Sequence, residues 1–199
     1  ISFKCIELDQ ESVAYLMARH PELQGNILQG DFLKLDLSQL FTDPFTIVGN
    51  FPYNISTQII FKVLENKQLV PALVGMFQKE VAERIACDPG SKVYGVTSVL
   101  VQAYYNVELL FTIGPEAFVP PPKVESAVIR LIQKPPSEFP DCEEKKLRQV
   151  VKQAFNQRRK TLRNSLKSIS EGRDFSFSQL RPEQLSVADF VTITRELLD

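Results

Sequence analysis

Alternation constrains this chain most. Over its first two-thirds, short apolar runs take turns with stretches of helical period. Residues 3–8, 26–29, 45–48 and 72–77 are brief, apolar and bounded by polar residues or glycine, so they predict strands. Residues 10–19 place Val13, Leu16 and Met17 at helical spacing. Residues 56–64 do the same with Ile59, Ile60, Val63 and Leu64. Residues 80–86 and 95–105 also predict helices, and 107–113 and 126–132 predict late strands rich in β-branched residues. Strands spaced by helices predict an α/β domain with a largely parallel sheet. The opening Ile1-Ser2-Phe3-Lys4-Cys5-Ile6 already reads as a buried strand with no initiator methionine. A preceding segment carrying the first strand is therefore expected.

The alternation stops at Lys134-Pro135-Pro136-Ser137, a break that extends to Pro140. The remaining residues have helical period only. Leu147, Val150, Val151 and Phe155 form one stripe, and residues 182–185 and 186–198 predict one or two closing helices. The expected domains are thus 1–133, α/β, and 134–199, small and all-helical. Charge is divided along the same line. Ten of the 23 Lys/Arg fall between Lys145 and Arg173 against one acid, Glu171, which leaves 13 basic and 23 acidic residues elsewhere. A basic block on an acidic body fits a polyanionic partner, although a solvated helix face would look the same.

Other classes are disfavoured. No apolar run approaches the roughly 20 residues of a membrane span, and no leader pattern opens the chain. Cys5, Cys87 and Cys142 are scattered, His20 is the sole histidine, and C-x-x-C spacing is absent. No metal site is expected, and a reducing, cytoplasmic setting is.

Ligands of open α/β sheets bind at the carboxyl ends of strands. Three predicted strand ends carry suitable groups. Glu7, followed by Leu8, stands where a carboxylate can accept from ribose hydroxyls. Asp31, followed by Phe32, can accept from an adenine amine while the ring packs. Either acid alone is more often a helix cap or surface charge than a ligand group. The third end, Asn50-Phe51-Pro52-Tyr53-Asn54-Ile55-Ser56, is far more specific. An exocyclic adenine amine is a poor nucleophile because its lone pair is delocalised into the ring. Two acceptors on its two hydrogens favour a tetrahedral nitrogen, and the Asn50 amide oxygen and Phe51 carbonyl can supply them. Pro52 stiffens the turn and biases Phe51 to extended backbone. Tyr53 can stack on an extruded base, and Ser56 can cap the next helix.

The chain resembles the ribosomal RNA adenine dimethyltransferases. Asn50 to Ser56 is similar to their catalytic motif, with Phe51 where Leu is usual. Gln78-Lys79-Glu80-Val81, Ser91-Lys92-Val93-Tyr94-Gly95 and Phe118-Val119-Pro120-Pro121-Pro122-Lys123-Val124-Glu125-Ser126 resemble later family segments. The run from Phe155 through Arg158-Arg159-Lys160-Thr161-Leu162-Arg163 to Leu166 resembles the start of the family's helical domain. The resemblance implies a Rossmann-like methyltransferase sheet lacking its first strand, S-adenosylmethionine as methyl donor, and dimethylation of adjacent adenosines in a loop of small-subunit ribosomal RNA. It also implies a role in ribosome biogenesis and a monomeric complete protein. Glu7 and Leu8, Asp31 and Phe32, and Asn50 would hold the cofactor. Asn50, Phe51, Pro52, Tyr53 and Phe118 would form the catalytic face, with Phe118 stacking opposite Tyr53 or serving in the core. Lys123, Arg158, Arg159, Lys160 and Arg163 would meet RNA phosphates. The family's glycine-rich loop has no counterpart, since G-x-G occurs nowhere, so weak cofactor binding by this stretch alone is expected. Two other readings stay open: a large-subunit enzyme conferring antibiotic resistance, and an assembly factor that mainly binds RNA.

Overall fold

The computed structural model describes residues 2–199. Ile1, expected in the opening strand, lies outside them. The chain forms two compact units, one ending at Asp43 and one running from Pro44 to Asp199.

In the first unit, β1 (Cys5–Glu7) and β2 (Ile27–Gln29) pair in parallel, with Glu7 opposite Gln29. Helix α1 (Gln10–Arg19) connects them, as its spacing predicts. Asp9 begins the helix. Its extended backbone lets a carboxylate oxygen accept from the Ser12 N–H at 2.7 Å, and hydrogen bonding from Ser12, its side chain first and then its backbone, lowers the Asp9 pKa. A short α2 (Leu37–Leu40), which periodicity cannot reveal at that length, starts from Asp36 in the same way and buries Leu37.

In the second unit, β3 (Thr46–Asn50), β4 (Ala72–Gln78), β5 (Tyr105–Ile113) and β6 (Ser126–Gln133) form a sheet in the order β3-β4-β6-β5. Only β3 and β4 pair in parallel; β6 runs antiparallel to both neighbours. The expected largely parallel sheet is therefore mixed. The cause is visible in the connections. Helix-bearing connections lead from β3 to β4 and from β4 to β5, whereas β5 and β6 are joined without a helix long enough to carry the chain back across the sheet, so they pair as neighbours in opposite directions.

One face of this sheet is core. Ile47, Leu73, Phe77, Ala127, Ile129 and Leu131 are buried there. Helices α4 (Lys79–Ala86) and α5 (Val96–Gln102) pack against β4, β5 and β6. Helix α3 (Ser56–Glu65) buries Ile59, Ile60, Val63 and Leu64. Two boundaries differ from expectation. The α5 helix stops at Gln102, and Tyr105 opens β5 instead, because its ring is buried and its hydroxyl donates to the Val70 carbonyl at 2.8 Å. The opening strand is three residues long and leaves Leu8 exposed.

Beyond Gln133 the described chain has no strand. Helix α6 (Glu144–Asn156) buries Leu147, Val150, Val151 and Ala154 against α9 (Val187–Leu198), which contributes Phe190, Ile193 and Leu197. Full burial of each Leu, Ile, Val or Phe contributes about 1.5–3 kcal/mol. Between them sit α7 (Leu162–Ser165) and α8 (Lys167–Ser170), single turns too short for a periodic signal. Lys67, almost fully buried, reaches Glu144 at 2.5 Å and lies over the Tyr104 ring at 4.9 Å, tying the start of α6 to the sheet's connections.

Candidate active site

The Asn50 turn leaves the carboxyl end of β3, where the strand's alternation decides which side chain faces which way. Ile47 and Gly49 point to the core face, and Thr46, Val48 and Asn50 point to the other, where Val48 is 75% exposed. Asn50 stands in register with Met76 of β4, which is itself opposite Val128 of β6. Its side chain is exposed and hydrogen-bonds to no described residue.

Phe51 turns back onto the core face. Its ring spans Gly49 and Gly75, which are direct partners across β3 and β4. A Cβ on Gly49 would lie 2.5 Å from the Phe51 ring, and one on Gly75 would collide with the opposite ring edge. The ring also meets Phe77 at a centroid distance of 5.2 Å. Two side-chain-free positions thus form a floor for one aromatic ring. With that ring anchored inward, the Phe51 carbonyl accepts no hydrogen bond among the described residues, whereas the Pro52 carbonyl accepts from Ile55 N–H at 3.2 Å.

Pro52 has φ −59°, and a 3-10 turn at Tyr53–Ile55 leads into α3. Ser56 does not cap α3 as expected. Ile55 holds the cap position, and Ser56, already helical and buried, donates its hydroxyl to the Pro52 carbonyl at 3.4 Å. That bond closes the turn from inside. Tyr53 is half-buried, and its hydroxyl lies 2.6 Å from the Ser126 hydroxyl at the start of β6. Phe118 is half-buried at the end of a short 3-10 turn, eight residues before Ser126, in the segment that carries exposed Lys123.

In the first unit, Glu7 ends β1 and Asp31 follows β2, so both acids stand at the carboxyl ends of paired parallel strands. Glu7 uses one carboxylate oxygen to accept from Asp9 N–H at 2.9 Å. Asp31 accepts from Leu33 N–H at 3.0 Å and lies 3.6 Å from Lys34 Nζ. Phe32 is half-buried, and Leu8 is 66% exposed. Neither Glu7 nor Asp31 is the helix cap; that role falls to Asp9 and Asp36.

The basic block divides by environment. Lys146 pairs with Asp199 at 2.8 Å, Arg148 with Glu65 at 3.4 Å, and Arg173 donates to the Leu197 carbonyl. Arg158 donates to the Ser91 carbonyl at 3.1 Å and lies 4.0 Å from Glu183. Arg159, Lys160 and Arg163 are exposed, and their side chains meet no described acceptor. Sequence reasoning did not find Ser126, Gly75 or Gly49. The glycines carry no chemistry of their own, and the Ser126–Tyr53 contact spans 73 residues. Among the described residues no three His, Cys, Asp or Glu are grouped as metal ligands, and no helix is long and apolar enough to cross a membrane. A cleft of about 500 Å³ between Gln102, Phe139 and Val187 contains none of the candidate residues.

A family model described as ribosomal RNA adenine dimethylase matches residues 2–197. The chain is 54% identical over 200 residues to ribosomal RNA small subunit methyltransferase A of Bacteroides thetaiotaomicron, covering 98% of this chain and 74% of that protein. It is 51% identical to the protein of the same name from Cytophaga hutchinsonii, covering 98% and 76%. Among solved structures it is similar to a dimethyladenosine transferase from Plasmodium falciparum, with a TM-score of 0.78 at 23% identity over 96% of this chain and 80% of that one. It is also similar to the 23S rRNA methyltransferase ErmE, with a TM-score of 0.63 at 22% identity over 98% and 81%. The structural likenesses establish the Rossmann-like methyltransferase fold. The matched family model and the identity to these relatives, over nearly the whole chain, place this chain in the ribosomal RNA adenine dimethylase family.

Proposed function

We propose that the protein dimethylates the exocyclic amine of adenosines in small-subunit ribosomal RNA, using S-adenosylmethionine, as a step in ribosome biogenesis. One observation carries the reading. At the carboxyl end of β3, the Asn50 amide oxygen and the Phe51 carbonyl are two acceptors to which no described residue donates. An adenine amine offers two hydrogens. Accepting both draws the nitrogen toward a tetrahedral geometry and localises its lone pair for attack. No ionised base is needed, because the amine becomes acidic only as its new bond forms. After one methyl is added a single hydrogen remains, so one acceptor then suffices. The turn is rigid where this needs rigidity: Phe51 sits on its glycine floor, and the Pro52 carbonyl is occupied by Ile55 and Ser56. Tyr53 offers its ring face to the extruded base, with Phe118 as the opposing surface.

The donor set fits the cofactor. Glu7 is suited to the ribose hydroxyls through its second carboxylate oxygen, and Asp31 to the adenine, with Leu8 and Phe32 beside them. The cofactor supplies an electrophilic methyl group on a sulfonium centre. We assign residues up to Gln133 to methyl transfer and residues 134–199 to RNA docking. Arg159, Lys160, Arg163 and Lys123 contact phosphate, and Arg158, committed to Ser91 and Glu183, holds the cluster in place. The names of the 54% and 51% identical relatives favour the small subunit as the source of the RNA.

Nucleoside mass spectrometry of separated ribosomal subunits tests this reading. Cells carrying Asn50→Ala in the complete gene should lose dimethyladenosine from small-subunit RNA as fully as a deletion strain. Retention of the modified base overturns it, and loss confined to the large subunit reassigns the substrate.

A further inference from the structure

We propose that Ser126 is the positioning residue of this site: a fully buried hydroxyl that tethers the Tyr53 phenol and fixes the tilt of the ring on which the target base stacks. The inference rests on the stacking role given to Tyr53 above. Ser126 is held on both sides at the start of its strand. It is fully buried, pairs with Gln78 of β4 on one side and Ile113 of β5 on the other, and follows Glu125. Glu125 in turn accepts from Lys79 twice, through its backbone carbonyl at 2.9 Å and its carboxylate at 2.7 Å. Tyr53 is the opposite case, a half-buried ring on a single 3-10 turn. The 2.6 Å hydroxyl pair joins the two. It also ties the Asn50 turn to the segment bearing Phe118 and Lys123, so both surfaces offered to the base share one anchor. Because its hydroxyl is engaged within the protein, Tyr53 acts on the base through its ring face alone.

Two substitutions remove the same tether from opposite ends. Ser126→Ala leaves a half-buried phenol that water can serve, and Tyr53→Phe keeps the ring and deletes its hydroxyl. If the tether is what matters, the two must be equivalent and must not compound. The experiment measures kcat and KM for small-subunit RNA on the protein expressed from its complete gene, well below each variant's Tm. We expect Ser126→Ala and Tyr53→Phe each to lower kcat about tenfold with KM changed less than about threefold, and the double variant to be no slower than either single within about threefold. Loss of folding alone would not produce that split. Tyr53→Ala separates the tether from the stacking. If it is crippled while Ser126→Ala matches wild type, the tether is overturned and the stacking role stands. If Tyr53→Ala itself matches wild type, the stacking role falls and the tether with it. Effects of Ser126→Ala and Tyr53→Phe that multiply in the double variant also overturn the proposal, because the phenol would then act on the substrate directly.

Discussion

Gly75 shows how a residue without a side chain can govern a site. Its missing Cβ is the space that the Phe51 ring occupies, and Phe77 closes in at 2.9 Å from the same position. Gly75→Ala should therefore push Phe51 off its floor and turn its carbonyl. Overpacking of this kind costs about 1–3 kcal/mol of stability. The loss of methyl transfer should exceed what that destabilisation predicts when both are measured at a temperature where the variant is folded. Tyr94 makes the converse case. It is fully buried, its hydroxyl meets no partner among the described residues, and burial raises its pKa. A buried donor without an acceptor weakens the fold, so Tyr94→Phe should be neutral or stabilising by up to about 1 kcal/mol in chemical denaturation. Clear destabilisation would mean that a buried water serves the phenol.

Helix α6 ties the sheet-bearing part of the second unit to the helices after it. Leu147, Val150, Val151 and Ala154 are fully buried at helical spacing, and Phe155 stacks near Phe190 at 5.9 Å. Leu147→Ala should cost about 2–5 kcal/mol, measured as a fall in the denaturation midpoint with little change in slope. This element was readable from its period, as were α1 and α3, because burial of one face leaves a regular trace in sequence, and the strands were readable as short apolar or β-branched runs. The antiparallel half of the sheet was not readable in the same way. A strand's composition does not record its direction, and Tyr104-Tyr105 suits a buried helix end as well as a strand start. In the candidate site, Asn50 and Tyr53 stood out because their chemistry is specific, and Phe118 only through the resemblance of its segment to the family. Ser126, Gly49 and Gly75 did not, because their roles arise only from pairing across the sheet.

Across the whole molecule, charge is sorted more sharply than composition suggests. Formal net charge is −1, yet Arg159, Lys160 and Arg163 stand close in sequence, exposed and unpaired by described acids, while Lys146, Arg148 and Arg158 are committed to internal partners. Phosphate contacts release counterions, and each should contribute about 0.7 to the slope of log affinity against log salt for a single-stranded target. Replacing Arg159, Lys160 and Arg163 together by Gln should flatten that slope by about 2, whereas replacing Lys146 and Arg148 should leave it unchanged and lower the Tm instead. RNA-binding titrations at several salt concentrations make the distinction. The ring of Phe51 on its glycine pair also has a bearing on descent. Positions 49, 51 and 75 share one small volume, so they cannot drift independently. A lineage that gains a side chain at 49 or 75 must first shrink the residue at 51, and across many relatives the three positions should change together or not at all.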